Sequence, residues 1–486
     1  MKTQLRDIGV IGVGAMGGGL ARNLASRGFR VAITSRSVAS AQQLAAAHPD
    51  AELAVFAGID ELARAVARPR VIWMLVPAGE AVDQVLRALE PCLDPGDIVV
   101  DAGNSHVEDT RRRASDAAGK PWYFVGMGVS GGARGALEGP SLMPGGDARA
   151  WPRLAPICEA IAARHEAEAC VAWCGNGAAG HFVKMVHNGI EYGDMQAIAE
   201  AAQSLRRGLG FAPAAIAAAF AAWNEAELES FLLDLAAQIF RIPDPENPGA
   251  LLLDAVLDRA AQNGTGRWAV HAALDLGVAI PGIAAAVDAR VLSGDGLLRS
   301  LTQGQLHAAP CRRLSGVDLN DVRAALYAAR IAAYAQGFAL LAAAAPSHGI
   351  TIALAEVARI WRAGCIIRTR LLGEIRGALW VSNAAALVLA PALRDAIAVR
   401  MPAWRRVVAA SVTSGFPVPA LAASLAWLDT LSAAHGSADL IQAQRDWFGS
   451  HGYERRGAPG MWVHSDWEEL ASGAAITTSI AARSAP

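Results

Sequence analysis

Residues Asp7–Gly19 read DIGVIGVGAMGGG, and no other stretch narrows the possible folds as far. Ile8–Ile11 predicts a short β-strand. Gly12, Gly14 and Gly17 then fall at the turn into a helix that runs to about Gly28. Gly12 suits a tight turn, Gly14 lets backbone come close to a pyrophosphate, and Gly17 allows a helix to pack tightly on the strand. The helix N-terminus adds free N–H groups and the positive end of its dipole. Three spaced glycines mean little by themselves in a chain with 48 of them; their place between strand and helix gives them weight. Gly12, Gly14, Ala15, Met16 and Gly17 are the expected dinucleotide contacts.

The next strand, Arg30–Thr34, ends in Ser35-Arg36-Ser37. An acidic residue at this point would bind a ribose 2′-hydroxyl and repel a 2′-phosphate. A guanidinium between two hydroxyls suits the 2′-phosphate, so the expected cofactor is NADP. Further strands are predicted at Val71–Val76, Ile98–Asp101 and Phe124–Val125, alternating with helices. That alternation predicts a parallel α/β domain, Rossmann-like, reaching to about residue 180. Val76 and Asn104 then stand at strand ends, beside the cofactor. The loop Gly128-Val-Ser130-Gly131-Gly132 is expected to do the same after the following strand, its small residues admitting backbone donors to a carboxylate.

A second informative stretch, His181–Gln196, reads HFVKMVHNGIEYGDMQ. At about 100° per residue, Lys184, Asn188 and Glu191 share one helical face, with His187 and Tyr192 beside them. Val183, Met185, Val186 and Ile190 supply apolar surface for packing. An ordinary salt-bridged polar stripe is the plain alternative. The chain contains a comparison, because a helical stretch over Asp321–Gly349 repeats the first at an offset of 138 residues, with Trp223 matching Trp361. There Lys184, His187, Asn188 and Glu191 correspond to Val322, Ala325, Leu326 and Ala329. Core packing alone wants the apolar version. The polar set costs burial energy that packing does not demand, which points to chemistry.

At 486 residues the chain can hold two or three domains. Alanine supplies much of its 53% hydrophobic content while aromatics are only 6%, which suits close-packed helices. The longest uncharged run, Ile331–His348, is interrupted by Tyr334, Gln336, Pro346 and Ser347 and is expected to fall short of a membrane span. Without an export signal, the cytoplasm is the expected location. A net charge of −2 with no basic cluster argues against nucleic acid as a partner. Cys92, Cys158, Cys170, Cys174, Cys311 and Cys365 are scattered and expected to be reduced. Cys170, Cys174 and His181 make at most a partial zinc set, so no metal is expected.

Together these pieces resemble the 6-phosphogluconate dehydrogenase family, over roughly residues 5–470. The resemblance is carried by GxGxMG at 12–17, SRS at 35–37, AGNS at 102–105, GVSGG at 128–132 and GPSLMPGG at 139–146. It continues through HFVKMVHNGIEYGDMQ at 181–196, GTGRW at 264–268 and LIQAQRDWFGSH at 440–451. It implies an NADP-dependent oxidation of the substrate's 3-hydroxyl, loss of carbon dioxide, and protonation to ribulose 5-phosphate, as in the pentose phosphate pathway and gluconate utilisation. Lys184 would be the general base and Glu191 the acid. A lysine at its ordinary pKa of ~10.4 is a poor base, so burial must lower it. Asn104, Ser130, Gly131, Gly132, His187 and Asn188 would hold the carboxylate and hydroxyls. Tyr192, Thr265 and Arg290 would meet the phosphate, with Asn263 beside them.

By the same resemblance, residues 1–180 bind NADP, 181–435 form an all-helical domain with an internal repeat, and 436–486 are a tail reaching into a partner subunit. The tail, expected to be extended, would bring Arg445 and His451 to the partner's phosphate site, making a homodimer the active unit. Three positions depart from the pattern. Asn263 replaces a lysine in KGTGKW, Pro77 replaces the lysine of VKAG near the adenosine, and Ala133 and Arg134 replace an acidic pair. They bear on phosphate affinity and cofactor preference, and they keep open a dehydrogenase for another or unphosphorylated sugar acid, or a non-catalytic NADP-binding protein.

Overall fold

The structure, a computed structural model, describes residues 5–303, 305–306, 313–381 and 384–472, so Cys311 lies outside it. The chain divides into two compact units, Met1–Leu425 and Ala426–Pro486. The first opens with a seven-stranded sheet in the order β3-β2-β1-β4-β5-β6-β7. Its strands are β1 Ile8–Ile11, β2 Val31–Thr34, β3 Leu53–Val55, β4 Val71–Met74, β5 Ile98–Asp101, β6 Tyr123–Ser130 and β7 Ser141–Gly146. Helices cover both faces, so the central strands are apolar on both. Ile8, Val10, Ile33, Trp73 and Val100 enter one core, and Ile11, Ala32, Ile72, Met74 and Val99 the other. The strand order reverses beside β1, which places a ligand crevice at the carboxyl ends of β1 and β4.

Two expectations need correction. The sheet is parallel from β3 through β6, but β7 runs antiparallel to β6. SLMPGG, with a proline and two glycines, has poor strand propensity; its pairing with β6, from Ser130↔Ser141 to Val125↔Gly146, overrides it. That same pairing carries β6 on to Ser130, so Gly128-Val-Ser130 is strand and the loop begins only at Gly131.

Apart from a small hairpin of Arg164–His165 with Glu168–Ala169, the regular structure in the described remainder of the first unit is helical. A 25-residue helix, Ala179–Gln203, ends in a π-helical turn at Ser204–Gly208, and a 30-residue helix spans Leu319–His348. The repeat survives in three dimensions: the helix Pro213–Asn224 carries buried Trp223, and Trp361 is buried directly after the helix Leu354–Ile360. Asp318 opens the 30-residue helix with a capping box to Asp321. The two long helices lie close, since a Cβ at Gly193 would stand 3.3 Å from that of Ala333, and one at Gly337 would collide with Ile190. A buried ion pair, Arg330 Nε to Asp194 Oδ1 at 2.6 Å, ties them together. Val322, Ala325, Leu326 and Ala329 are buried, so the second copy's matching face is indeed core. The Leu319–His348 helix has the length and hydropathy of a membrane span despite its polar interruptions, but its most apolar window is 78% buried within the protein. Burial rather than composition marks it as a core helix.

As far as residue 472, the second unit is folded rather than an extended tail. It holds a helix, Ala438–Gly449, a hairpin of Tyr453–Arg455 with Ala458–Val463, and a short helix, Trp467–Ala471. Asp446, fully buried, gathers these pieces. It accepts from Gly452 N at 2.7 Å, Trp467 Nε1 at 2.7 Å and Ser465 N at 3.2 Å, and lies 2.9 Å from His464 Nδ1. One desolvated carboxylate with that many donors folds a segment too short to form a core of its own.

Candidate active site

The helix Ala179–Gln203 is seated on the sheet by small residues. A Cβ at Gly128 would strike the Cβ of Lys184, and one at Gly126 would stand 3.0 Å from His181 Nδ1. Only a bare strand lets the helix approach this closely, and the approach buries Lys184. Its Nζ donates to Ser130 Oγ at 3.1 Å and lies 3.4 Å from His187 Nδ1. Among the described residues no carboxylate stands within 4.0 Å of that Nζ. Burial therefore lowers the lysine's pKa, with Glu191 and Cys365 pulling the other way.

His187 is held from several sides. Its Nε2 lies 3.1 Å from Ser130 Oγ, its Nδ1 3.3 Å from Asn188 Oδ1, and its ring meets Trp361 edge-on at 5.4 Å. Burial and then the Lys184 charge depress its pKa well below the usual range, so it serves as a neutral hydrogen-bonding group. Asn188 Nδ2 reaches Asn104 Oδ1 at 3.4 Å, joining the helix to the loop after β5. Glu191, one turn beyond His187, keeps 23% of its side chain exposed, and its Oε2 is 3.8 Å from His187 Nδ1. Burial raises its pKa, while Lys184 and Arg290 oppose the rise. A lysine pushed toward the amine and a glutamate pushed toward the acid thus share one face.

Farther along that face the site becomes cationic. The Arg290 guanidinium lies 3.6 Å over the Tyr192 ring, and a Cβ at Gly266 would be 2.7 Å from the same ring. Thr265 is buried at the first turn of the helix Thr265–Asp275. His106, beyond Asn104, meets Trp268 of that helix at 4.8 Å, so both ends of the site are tied to the loop after β5.

At the nucleotide end, Gly12 has φ +94° and its added Cβ would strike the Leu75 carbonyl, while Gly17 packs against the Gly12 carbonyl. Gly14 N-caps the helix Ala15–Ser26, and a Cβ there would meet nothing within 4 Å. The open space lies where a pyrophosphate needs it. Arg36 is exposed at the end of β2, between Ser35 and Ser37, as a contact to a 2′-phosphate requires, and Val76 is half-buried after β4.

Lys184, His187, Asn188, Glu191, Ser130 and Asn104 therefore converge, as do Tyr192, Arg290 and the Thr265–Gly266 turn. Gly131 and Gly132 begin a short helix, Gly132–Glu138, next to Ser130. Asn263 and Pro77 are both exposed on loops. Arg134, which stands where the pattern has an acidic residue, is exposed and bonds Glu138 at 2.9 Å. Arg445 and His451 are exposed residues of the other unit. Nothing in the residue order singles out Cys365, whose thiol, close enough to Lys184 for their charges to interact, burial pushes up to about 12. Trp361 was visible only as half of a repeat, with nothing to indicate that it walls His187.

Family comparisons extend over nearly the whole chain. The model for the NAD binding domain of 6-phosphogluconate dehydrogenase matches residues 7–175, and that for the enzyme's C-terminal domain matches 180–467. A decarboxylating 6-phosphogluconate dehydrogenase from Synechocystis is 44% identical over 472 residues, covering 95% of this chain and 98% of its own. One from Caenorhabditis elegans is 41% identical, covering 97% and 98%. The Plasmodium falciparum 6-phosphogluconate dehydrogenase, solved apo, with its cofactor NADP+ and with its substrate 6-phosphogluconate, superposes with a TM-score of 0.91 at 34% identity, covering 95% of this chain and 100% of that one. On these matches, the chain belongs to the 6-phosphogluconate dehydrogenase family.

Proposed function

We propose that this protein catalyses the NADP-dependent oxidative decarboxylation of 6-phospho-D-gluconate to D-ribulose 5-phosphate and CO2. The observation that carries the reading is Lys184, a buried amine with only neutral hydrogen-bonding partners, on the same helical face as a glutamate whose pKa is raised. NADP, when bound, supplies the hydride acceptor; the open Gly14 turn and the exposed Arg36 fit its pyrophosphate and 2′-phosphate. Neutral Lys184 takes the proton of the 3-hydroxyl as the hydride leaves C3. The resulting ammonium then faces the new carbonyl oxygen and stabilises the negative charge that grows there as the C1–C2 bond breaks and CO2 departs. Glu191, protonated, delivers a proton to C2, which becomes C1 of the pentulose. Ser130, His187, Asn188 and Asn104 orient the acid end, with Gly131 and Gly132 offering backbone donors. Tyr192, Thr265 and Arg290 receive the phosphate.

By role, we divide the chain into an NADP-binding domain, 1–180, a helical catalytic and dimerisation domain, 181–435, and a partner-directed segment, 436–486. The helix Ala438–Gly449 leaves Leu440, Ile441, Trp447 and Phe448 exposed, an apolar surface that a second copy of the chain would cover, bringing its Arg445 and His451 to the phosphate. A homodimer is thus the working unit. A cytoplasmic setting suits Cys92, Cys158, Cys170, Cys174 and Cys365, all free thiols.

The neutral, exposed Asn263 supports a second reading, a sugar acid without the phosphate. Steady-state assays with gluconate and 6-phosphogluconate, each against NAD and NADP, decide between them. The proposal expects 6-phosphogluconate with NADP to give the highest kcat/KM by at least ten-fold. Gluconate outperforming it would transfer the assignment to the second reading.

A further inference from the structure

Two buried arginines bridge neighbouring strands of the sheet, one at each edge. At the amino edge, Arg70 precedes β4 and pairs with Asp97, which precedes β5, at 2.6 Å. No ligand binds at that edge of such a sheet, so this pair secures the fold. At the carboxyl edge the corresponding position is taken by Arg113, from the helix Val107–Ala117. Its side chain is 1% exposed, and every group it meets belongs to a segment that begins at a strand end.

Arg113 Nε donates to Asp83 Oδ1 at 2.8 Å and its Nη2 to Asp83 Oδ2 at 3.0 Å, a two-pronged grip on the first turn of the helix Glu80–Leu89. The same Nη2 donates to the Gly79 carbonyl at 2.9 Å, at the end of the loop that leaves β4 through Val76 and Pro77. Its Nη1 lies 3.5 Å from Asp101 Oδ2 and 3.4 Å from Ser105 Oγ. Asp101, fully buried, in turn accepts from Gly103 N at 3.1 Å and Ser105 Oγ at 2.7 Å, so its carboxylate folds the turn that displays Asn104. The two loops touch, since a Cβ at Gly103 would lie 3.2 Å from the Val76 carbonyl.

We propose that Arg113 is a positioning residue for cofactor and substrate, a buried clamp that fixes the Val76–Gly79 loop and the Asn104 turn relative to each other. The inference rests on the assignment of NADP and 6-phosphogluconate to this cleft. A planar guanidinium can hold Asp83 with two nitrogens while the third faces Asp101, and an ammonium cannot reproduce that geometry. Arg113, joined by the exposed Arg112, whose Nη2 also donates to Asp83 at 2.9 Å, holds the Asp83 carboxyl down at about 2. The clamp ties the loop after β4, on one side of the crevice, to the neighbouring turn after β5, so loosening it displaces the dinucleotide and Asn104 together.

Arg113→Lys and Asp83→Asn test this in the full-length enzyme. Asp83→Asn is nearly isosteric and removes the carboxylate that Arg113 grips with two nitrogens, so it decides the matter if the arginine variant does not fold. The clamp predicts that KM for NADP rises at least five-fold in Arg113→Lys and at least three-fold in Asp83→Asn. It further predicts a larger deuterium isotope effect on kcat with 3-deuterated 6-phosphogluconate, because a misplaced cofactor slows hydride transfer relative to later steps. A lower melting temperature with KM and isotope effect unchanged in folded Asp83→Asn overturns the proposal and leaves Arg113 a fold-securing residue like Arg70. Direct NADP titration keeps the two readings separate: a wild type that binds NADP yet turns over no 6-phosphogluconate refutes the activity, while the clamp is still judged by NADP affinity in the variants.

Discussion

Replacing Lys184 by methionine should destroy turnover and stabilise the fold, and both effects follow from the same burial. General acid–base catalysis contributes ~10²–10⁴-fold, and a donor stabilising a developing oxyanion contributes ~10²–10³ more. One group serving both steps should therefore cost more than ~10³-fold in kcat, about 4 kcal/mol of transition-state stabilisation. Stability should move the opposite way. The methionine gives up two hydrogen bonds, to Ser130 at 3.1 Å and toward His187 at 3.4 Å, worth together ~1–3 kcal/mol. It relieves the burial of an ammonium with no carboxylate within 4.0 Å, which costs several kcal/mol. The sign with pH is fixed by the lowered pKa. Between that pKa and 10.5 the unfolded chain binds more protons than the folded one, so wild-type stability rises with pH across this window. The penalty is complete below the window, so the methionine variant's advantage should be largest there and vanish near its upper end. Urea titrations across the pH range, with NADPH absorbance for kcat and NADP titration for binding, measure each quantity. A variant within a few-fold of wild-type kcat, or one less stable than wild type at every pH, would refute the role assigned to this amine.

The remaining expectations can be checked with the same preparations. The pH profile of kcat/KM should be bell-shaped, its acid limb requiring neutral Lys184 and its alkaline limb protonated Glu191, with both limbs belonging to the coupled pair. Glu191→Gln should lower kcat by ~10²–10⁴-fold and remove the alkaline limb; an unchanged limb would assign it elsewhere. Arg36→Ala should raise KM for NADP ten-fold or more and leave KM for NAD within two-fold, because only NADP loses a charge-assisted contact worth ~1.5–3 kcal/mol. Mixing inactive Lys184→Ala subunits with inactive Arg445→Ala subunits should restore part of the activity, through heterodimers that contain one complete site. No recovery after demonstrated subunit exchange would mean that the site is not shared.

Much of this protein is legible in the order of its residues. The strand–GxGxxG–helix run determines a doubly wound sheet, because a pattern so local needs only backbone geometry to become a turn and a helix N-terminus. The apolar runs locate β2, β4 and β5 to within about two residues, but they do not signal the short edge strand β3, and β6 runs five residues past Val125. The polar face of Lys184, Asn188 and Glu191 stands out because the helix period is fixed and the second copy of the segment is apolar at the same places. Other features depend on partners far away in the chain. SLMPGG becomes strand β7 only because β6 offers it an antiparallel edge, and the residues about Tyr453–Val463 form a hairpin around buried Asp446. Trp361 and Cys365 reach the surroundings of Lys184 across more than 170 residues of sequence. Arg113 lies in the polar string Val107–Ala117, where nothing distinguishes it from Arg111 and Arg112, which are exposed. Local sequence carries periodicity and turn chemistry; which charge is buried, and against what, is settled only when distant segments exclude water together.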